Sequence, residues 1–295
     1  MKLFLTGASG LLGHALAVSF LKMGWEVHAS SHQHPPLANG LRLHKVDLLN
    51  KDALREWLSQ TRQNAIVNAA GLSVSETCDE NPPLSQALNV ELPCDLARIA
   101  GEQGLRFIHF STDMVFDGKS GNYSTSSPTQ PSNRYGQHKL ESEKQVRGLY
   151  KQSCVIRLPL LMGNSPSGTR SVHESLWRKW KESISTALFQ DEWRQPVSAS
   201  NVADLTAELL QKESISGLFH WAGADKVNRW EMGLLIAEKL GVPEHLLQKT
   251  VARNFSQFRN RPLDLSMDSS KLKAQVQTEP APFKIQLAEI VIPGR

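Results

Sequence analysis

The chain has 295 residues, 40% hydrophobic and 21% charged, a globular composition with material for one large or two smaller domains. Its net charge of +4, from 33 Lys and Arg against 29 Asp and Glu, is mild, and no dense basic run with interleaved aromatics marks a nucleic-acid surface. No apolar stretch approaches the ~20 residues of a membrane helix, and the first apolar run passes straight into a glycine turn with no signal core. The three cysteines, Cys78, Cys94 and Cys154, are odd in number and lack metal-ligand spacing. They read as free thiols in a reducing compartment, so the expectation is a cytoplasmic protein without a metal site.

Lys2-Leu3-Phe4-Leu5-Thr6 predicts a strand, Gly7-Ala8-Ser9-Gly10-Leu11-Leu12-Gly13 a glycine-rich turn, and the stretch from Ala15 through Leu21 a helix. Glycines allow a tight turn and close backbone approach of a pyrophosphate. The helix N-terminus then offers it free N–H groups and partial positive charge. The spacing is G-x-x-G-x-x-G, and a plain strand–turn–helix connection would show the same order. Further strands are predicted near Glu26 to Ala29 and Leu41 to His44, and Asp47-Leu48-Leu49 leads into a helix over Lys51 to Gln60. Ala65 to Asn68 reads as a buried strand, followed by Ala69-Ala70-Gly71 and a long helix from Leu84 to Glu102. Leu105 to Phe110 is the next strand, ending at Ser111-Thr112-Asp113. A helix from Ser132 to Tyr150, with Ser132 or Asn133 as its cap, precedes the strand Cys154 to Leu158. Strands separated by helices of this length predict an α/β fold: a Rossmann-type, doubly wound parallel sheet with right-handed crossovers.

After this the pattern predicts a loop over Gly163 to Gly168 and a helix bearing Arg170, Arg178, Lys179 and Lys181 with Trp177 and Trp180. Its basic face suits a nucleotide diphosphate or, equally, solvent with the tryptophans packed inward. Asn201 to Leu210 predicts a helix returning to the main sheet, and Gly217 to Trp221 a strand of a small domain. The expected division is a dinucleotide-binding domain over 1–162, with return segments near 186–212. A smaller, discontinuous α/β substrate domain takes 163–185 and 213–295.

In such a sheet ligands bind beyond the carboxyl ends of the strands. That rule gathers the glycine turn, Asp47, Ala69 to Gly71, Ser111 to Asp113 and Pro159-Leu160 at one edge. Tyr135 begins the helix that overhangs them, and Lys139 stands one turn later on the same face. A phenol ordinarily loses its proton near pH ~10, and an adjacent ammonium favours the phenolate. Taken alone, a Tyr and a Lys at this spacing also describe a solvated helix face.

Together these residues resemble an extended short-chain dehydrogenase/reductase. The resemblance is carried by Thr6-Gly7 to Gly13, Asp47-Leu48, Asn68-Ala69-Ala70-Gly71, Asn89, Ser111-Thr112-Asp113-Met114-Val115-Phe116-Asp117-Gly118, and Tyr135 with Lys139. Arg157, Arg261-Pro262 and Ser270-Lys271-Leu272 extend it. It is specific over the first 160 residues and looser onward to residue 272. Within that group the chain most resembles the dTDP-4-dehydrorhamnose reductase family, which includes the regulatory beta subunit of methionine adenosyltransferase.

The resemblance implies an NAD(P)H-dependent reductase of a nucleotide-linked 4-keto sugar. Tyr135 would be the general acid, Lys139 would lower its pKa and hold the nicotinamide ribose, and Thr112 would hydrogen-bond the substrate carbonyl. Gly7, Ser9, Gly10, Leu11, Leu12 and Gly13 would carry the pyrophosphate, Asp47 and Leu48 would flank the adenine, and Ala69, Ala70, Gly71 and Phe110 would line the cofactor. Asp113 and Leu160 would join Thr112 on the substrate. Ser30-Ser31-His32-Gln33-His34 has no carboxylate for a ribose 2′-hydroxyl, so Ser31 and His32 favour NADP(H) over NAD(H). His32 and His34 also read as exposed loop residues ahead of Pro35-Pro36. Met114 stands where sugar-nucleotide 4,6-dehydratases carry a Glu base and the reductases usually a Tyr, which disfavours dehydration. A cofactor-binding regulatory subunit and a sugar-nucleotide epimerase are the alternatives, and a homodimer is an assembly left open.

Overall fold

A computed structural model describes residues 1–30, 38–255 and 261–292. Six strands of the main sheet are β1 (Lys2–Thr6), β2 (Glu26–Ser30), β3 (Arg42–His44), β4 (Ala65–Asn68), β5 (Arg106–Thr112) and β6 (Cys154–Leu158). With Gly217–His220 they form a seven-stranded sheet in the order Gly217–His220, β6, β5, β4, β1, β2, β3, every pair parallel. β4, β5 and β6 are buried along their whole length, as a sheet covered on both faces requires.

Alternation along each strand supplies two cores. Leu3, Leu5, Val67, Ile108 and Ile156 face α1 (Leu11–Lys22) and, later in the chain, the helix Ala199–Gln211, which pack together through Leu16, Phe20, Val202 and Leu205. Phe4, Ile66, Phe107 and Val155 face α2 (Lys51–Thr61) and the helix Leu92–Gln103 through Leu54, Leu58, Leu96 and Ile99. The strand order reverses between β1 and β4, the place where open sheets of this kind bind ligands beyond the strand ends.

Three expectations are corrected. Gly217–His220 belongs to the main sheet, because Gly217 registers with Cys154 and Phe219 with Ile156 at its edge. A short apolar run does not say which sheet will take it. Thr186–Phe189, expected among the return segments, pairs instead with Leu247–Thr250 in a separate two-stranded sheet. The long helix from Leu84 to Glu102 is interrupted: α3 (Ser75–Glu80) and α4 (Pro82–Gln86) lead to a π-turn at Ala87–Glu91, and α5 (Leu92–Gln103) follows. At the π-turn the Asn89 amide accepts from Leu72 N–H and donates to the Leu72 carbonyl and Ser85 Oγ.

α6 (Arg134–Leu149) starts at Asn133, whose side chain accepts from Gly136 N–H at 2.8 Å. α7 (Val172–Trp180) turns Trp180 into a smaller core with Met162, Leu176, Leu188, Met232, Ile236 and Phe283, and leaves Arg178 and Lys179 exposed. Trp180 thus packs inward while the basic face stays open. Among the described residues no helix is long and apolar enough to cross a membrane, and no group of three or more His, Cys, Asp or Glu is placed to hold a metal ion.

Candidate active site

The glycine turn joins β1 to α1 at the reversal. Gly7 has φ +71°, and a Cβ there would lie 2.5 Å from the Ala69 carbonyl oxygen. Only glycine lets the turn pack this closely on the segment after β4. Helix α1 begins at Gly10 with no side-chain cap and no acidic residue in its first turn. Its N-terminal N–H groups and partial positive charge are therefore available to an anion, so a dinucleotide pyrophosphate fits the residues present. Gly7→Ala is expected to cost ~1–3 kcal/mol of stability and to abolish NADPH binding, read by urea unfolding and fluorescence titration. An alanine variant that binds NADPH normally would show that this close packing is not needed.

Beyond β5, Thr112 starts the 3-10 turn Asp113–Val115, its Oγ1 accepting from Met114 N–H at 3.2 Å and donating to Asp113 Oδ1 at 3.2 Å. Burial pushes the Asp113 carboxyl up to about 6, against the pull of Arg194. Tyr135, in the first turn of α6, is partly buried, and its phenol is pushed well above its ordinary range by burial and next by Asp113, while the Thr112 hydroxyl pulls it down. Lys139 is 4% exposed, and burial brings its ammonium down to about 8. Its Nζ lies 3.3 Å from His109 Nε2. The expected lowering of the Tyr135 phenol by Lys139 is thus not the balance in this state, where burial and Asp113 dominate.

Most of the other predicted residues lie in segments near the carboxyl ends of the strands. Ser9 and Gly10 lie in the turn, and Leu11, Leu12 and Gly13 open α1. Asp47 is exposed in the loop from β3 to α2 with its Oδ1 accepting from Leu49 N–H, and Leu48 packs on the α2 core. Ala69 and Ala70 are half-buried after β4, and Gly71 lies against Asn89. Phe110 is buried in the α1 core, so its side chain serves packing. Leu160 packs on the smaller core. Ser31 and His32 lie outside the described residues.

Sequence reasoning missed how the side chains of two groups pair. One is the buried set Thr6, Asn68, His109 and Ser142, which touch one another from β1, β4, β5 and α6. A histidine inside an apolar parallel strand was the available signal. The other is Glu192, fully buried and paired with Arg194 and Arg229 at 2.9 Å each and with Arg261. Arg194 and Arg229 are also the cations acting on Asp113, just past β5.

An uncapped helix at the strand-order reversal, with a phenol and a buried ammonium one turn apart past β5, characterises one class of protein. The fold is the one shared by the extended short-chain dehydrogenase/reductases. A family model described as "RmlD substrate binding domain" matches residues 1–294, and the chain belongs to that family. It is 30% identical to the "Probable low-salt glycan biosynthesis reductase Agl14" of Haloferax volcanii, over 94% of this chain and 92% of that protein. It is 29% identical to "Methionine adenosyltransferase 2 subunit beta" of Rattus norvegicus, over 99% of this chain and 87% of that protein. The structure of dTDP-4-dehydrorhamnose reductase from Bacillus anthracis in complex with NADP has the same fold, with a TM-score of 0.86 at 17% identity over 97% of each chain.

Proposed function

We propose that this protein reduces the keto group of a nucleotide-linked 4-keto sugar, as a dTDP-4-dehydrorhamnose reductase does. The observation that carries the reading is Tyr135 beside Thr112 past β5, with Lys139 one turn further along α6 and an uncapped glycine turn after β1. NAD(P)H, when bound, supplies the hydride. Tyr135 holds the proton that the developing alkoxide takes, and its raised pKa keeps that proton in place at neutral pH. Thr112 offers its hydroxyl to the carbonyl oxygen as charge builds there. Met114, packed against the cluster of Phe116 and Tyr123, has no group to take a proton, which favours plain reduction over dehydration.

NADP(H) is the cofactor we favour over NAD(H), because residues 30–34 supply hydroxyl and imidazole donors and no carboxylate. The substrate enters between Thr112 and Asp113 on one side and Leu160 on the other. Residues 163–185 and the chain after 221 complete that side. Arg229 and Arg261, the more open partners of Glu192, leave positive charge over the site for a diphosphate. A subunit role like that of methionine adenosyltransferase 2 subunit beta is the second reading, favoured by 29% identity across 99% of this chain. Nicotinamide absorbance with NADPH and a dTDP-4-keto-6-deoxy sugar separates the two. Rapid oxidation supports the reductase. Tight NADPH binding with no oxidation of the cofactor moves the assignment to the subunit.

Lys139 gives a second test. With its midpoint at about 8, it is an ammonium below that pH and an amine above it. If the ammonium serves the cofactor, NADPH affinity is full below about pH 8 and falls as pH rises through that value, and Lys139→Met removes the step. An affinity that stays flat across that range in the unaltered protein contradicts the role.

A further inference from the structure

Lys139 is expected to face the cofactor, yet its nearest polar partner here is a buried histidine that no part of the reaction uses. His109 is fully buried in β5, and burial and next the charge of Lys139 hold its imidazole well below the ordinary histidine range, so it is neutral. A neutral imidazole has one donor and one acceptor nitrogen. Its Nδ1 lies 3.0 Å from Asn68 Nδ2, and its Nε2 lies 3.2 Å from Ser142 Oγ and 3.3 Å from Lys139 Nζ. Beyond Asn68, Thr6 Oγ1 donates to Asn68 Oδ1 at 2.6 Å and accepts from Ala70 N–H at 3.1 Å. A continuous polar chain therefore runs from Lys139 to the backbone after β4.

We infer that His109 is a positioning residue for Lys139, the middle of a buried hydrogen-bond chain Lys139–His109–Asn68–Thr6 whose direction reverses with the charge on the lysine. The inference rests on the reading above, in which Lys139 serves the cofactor. The heavy-atom positions admit two proton arrangements. In the first, Thr6 donates to Asn68 Oδ1, Asn68 Nδ2 donates to His109 Nδ1, and the imidazole proton sits on Nε2. That proton points to Ser142 Oγ and to Nζ, and Ser142 donates its own hydrogen to the Lys139 carbonyl at 2.9 Å. An amine with a lone pair suits this arrangement, and an ammonium, which has three donors and no acceptor, does not.

In the second arrangement the ammonium donates to Nε2 and the imidazole proton moves to Nδ1. The Asn68 amide is turned over, so that Oδ1 accepts from His109 and Nδ2 donates to Thr6 Oγ1. Every bond of the chain reverses together. A carboxylate at position 109 would hold the lysine permanently charged, and an apolar residue would leave it without a partner. An imidazole supports both states. The other charge facing Lys139 is Glu143, one turn on, which is held by Arg157 at 2.7 Å.

The test is heteronuclear NMR of the full chain, with labelled histidine and lysine, from about pH 6 to about pH 10, which brackets the ordinary values of both side chains. The resonances are assigned with His109→Gln and Lys139→Met. The expected result is a His109 that stays neutral and passes from the Nδ1–H to the Nε2–H tautomer at the midpoint of the Lys139 titration, with one fixed tautomer at all pH values in Lys139→Met. His109→Gln, which keeps an acceptor, should hold the Lys139 midpoint closer to that of the unaltered protein than His109→Leu does. A single tautomer throughout the Lys139 titration, or the same switch in Lys139→Met, overturns the inference. These spectra of the unaltered protein decide the matter even if His109→Leu does not fold. An NADPH titration on the same sample keeps the two claims apart. Failure to bind NADPH counts against the proposed function whatever the tautomer does, and a fixed tautomer in a protein that binds NADPH overturns the role of His109 alone.

Discussion

Tyr135→Phe loses about 10²–10⁴-fold in turnover of a nucleotide-linked 4-keto sugar, the usual worth of a positioned general acid, and keeps its affinity for NADPH. The substitution deletes one hydroxyl and leaves the ring in the first turn of α6, where Asn133 caps the helix. The glycine turn and Lys139 are untouched, so cofactor binding has no reason to change. Because the lost interaction belongs to the transition state, kcat and kcat/KM should fall together. The environment of the phenol sets the direction in which the enzyme runs best. Burial and Asp113 keep the proton on Tyr135, which is the form a reductase needs to donate. Oxidation of an alcohol would need the phenolate that the same surroundings penalise. The comparison is steady-state NADPH oxidation by both proteins at saturating cofactor. Undiminished turnover in the variant would remove Tyr135 from the mechanism and leave Thr112 and Asp113 as the groups facing the substrate.

The parts of this site that could be read from sequence are those whose geometry is local. The glycine turn is one, because strand, turn and helix follow one another between Lys2 and Lys22. Tyr135 and Lys139 are another, since four-residue spacing on a helix places both on one face whatever surrounds it. What the spacing cannot carry is the environment of each group. It predicted a phenol lowered by an ammonium. In the fold, the ammonium turns to His109, and the phenol answers to burial and to Asp113.

His109 itself escaped notice because its partners come from β1, β4 and α6, and only the parallel register that sets Asn68 beside both Thr6 and His109 brings them together. The same limit explains Gly217–His220: an apolar run at a sheet edge is decided by its neighbour β6. The π-turn at Ala87–Glu91 is likewise paired with a loop 15 or more residues away, where Asn89 bonds Leu72.

Glu192→Gln is expected to destabilise the protein by about 3–5 kcal/mol, because removing one member of a buried ion cluster leaves the others uncompensated. Glu192 is 0% exposed and meets three guanidinium groups, Arg194, Arg229 and Arg261. Burial alone would raise its carboxyl, but the three cations overcome burial and bring it from 4.5 to about 2. A drop of that size corresponds to about 3 kcal/mol of preference for the charged form in the folded state. The sign follows from the lowered value. The contribution is complete above the unfolded carboxylate pKa of 4.5 and is lost as pH falls through about 2. Urea unfolding of the unaltered protein should therefore show stability falling across that acid window, and Glu192→Gln should lack this part of the fall while starting from a lower value at neutral pH. Arg194 is the partner most deeply committed, since it also donates to the carbonyls of Trp193 and Pro262. Pairing Glu192→Gln with Arg194→Met removes one stranded charge and should recover part of the loss. If Glu192→Gln is as stable as the unaltered protein at neutral pH, the three arginines are neutralised from elsewhere, and Asp113, whose carboxyl Arg194 and Arg229 already influence, is the group to test next.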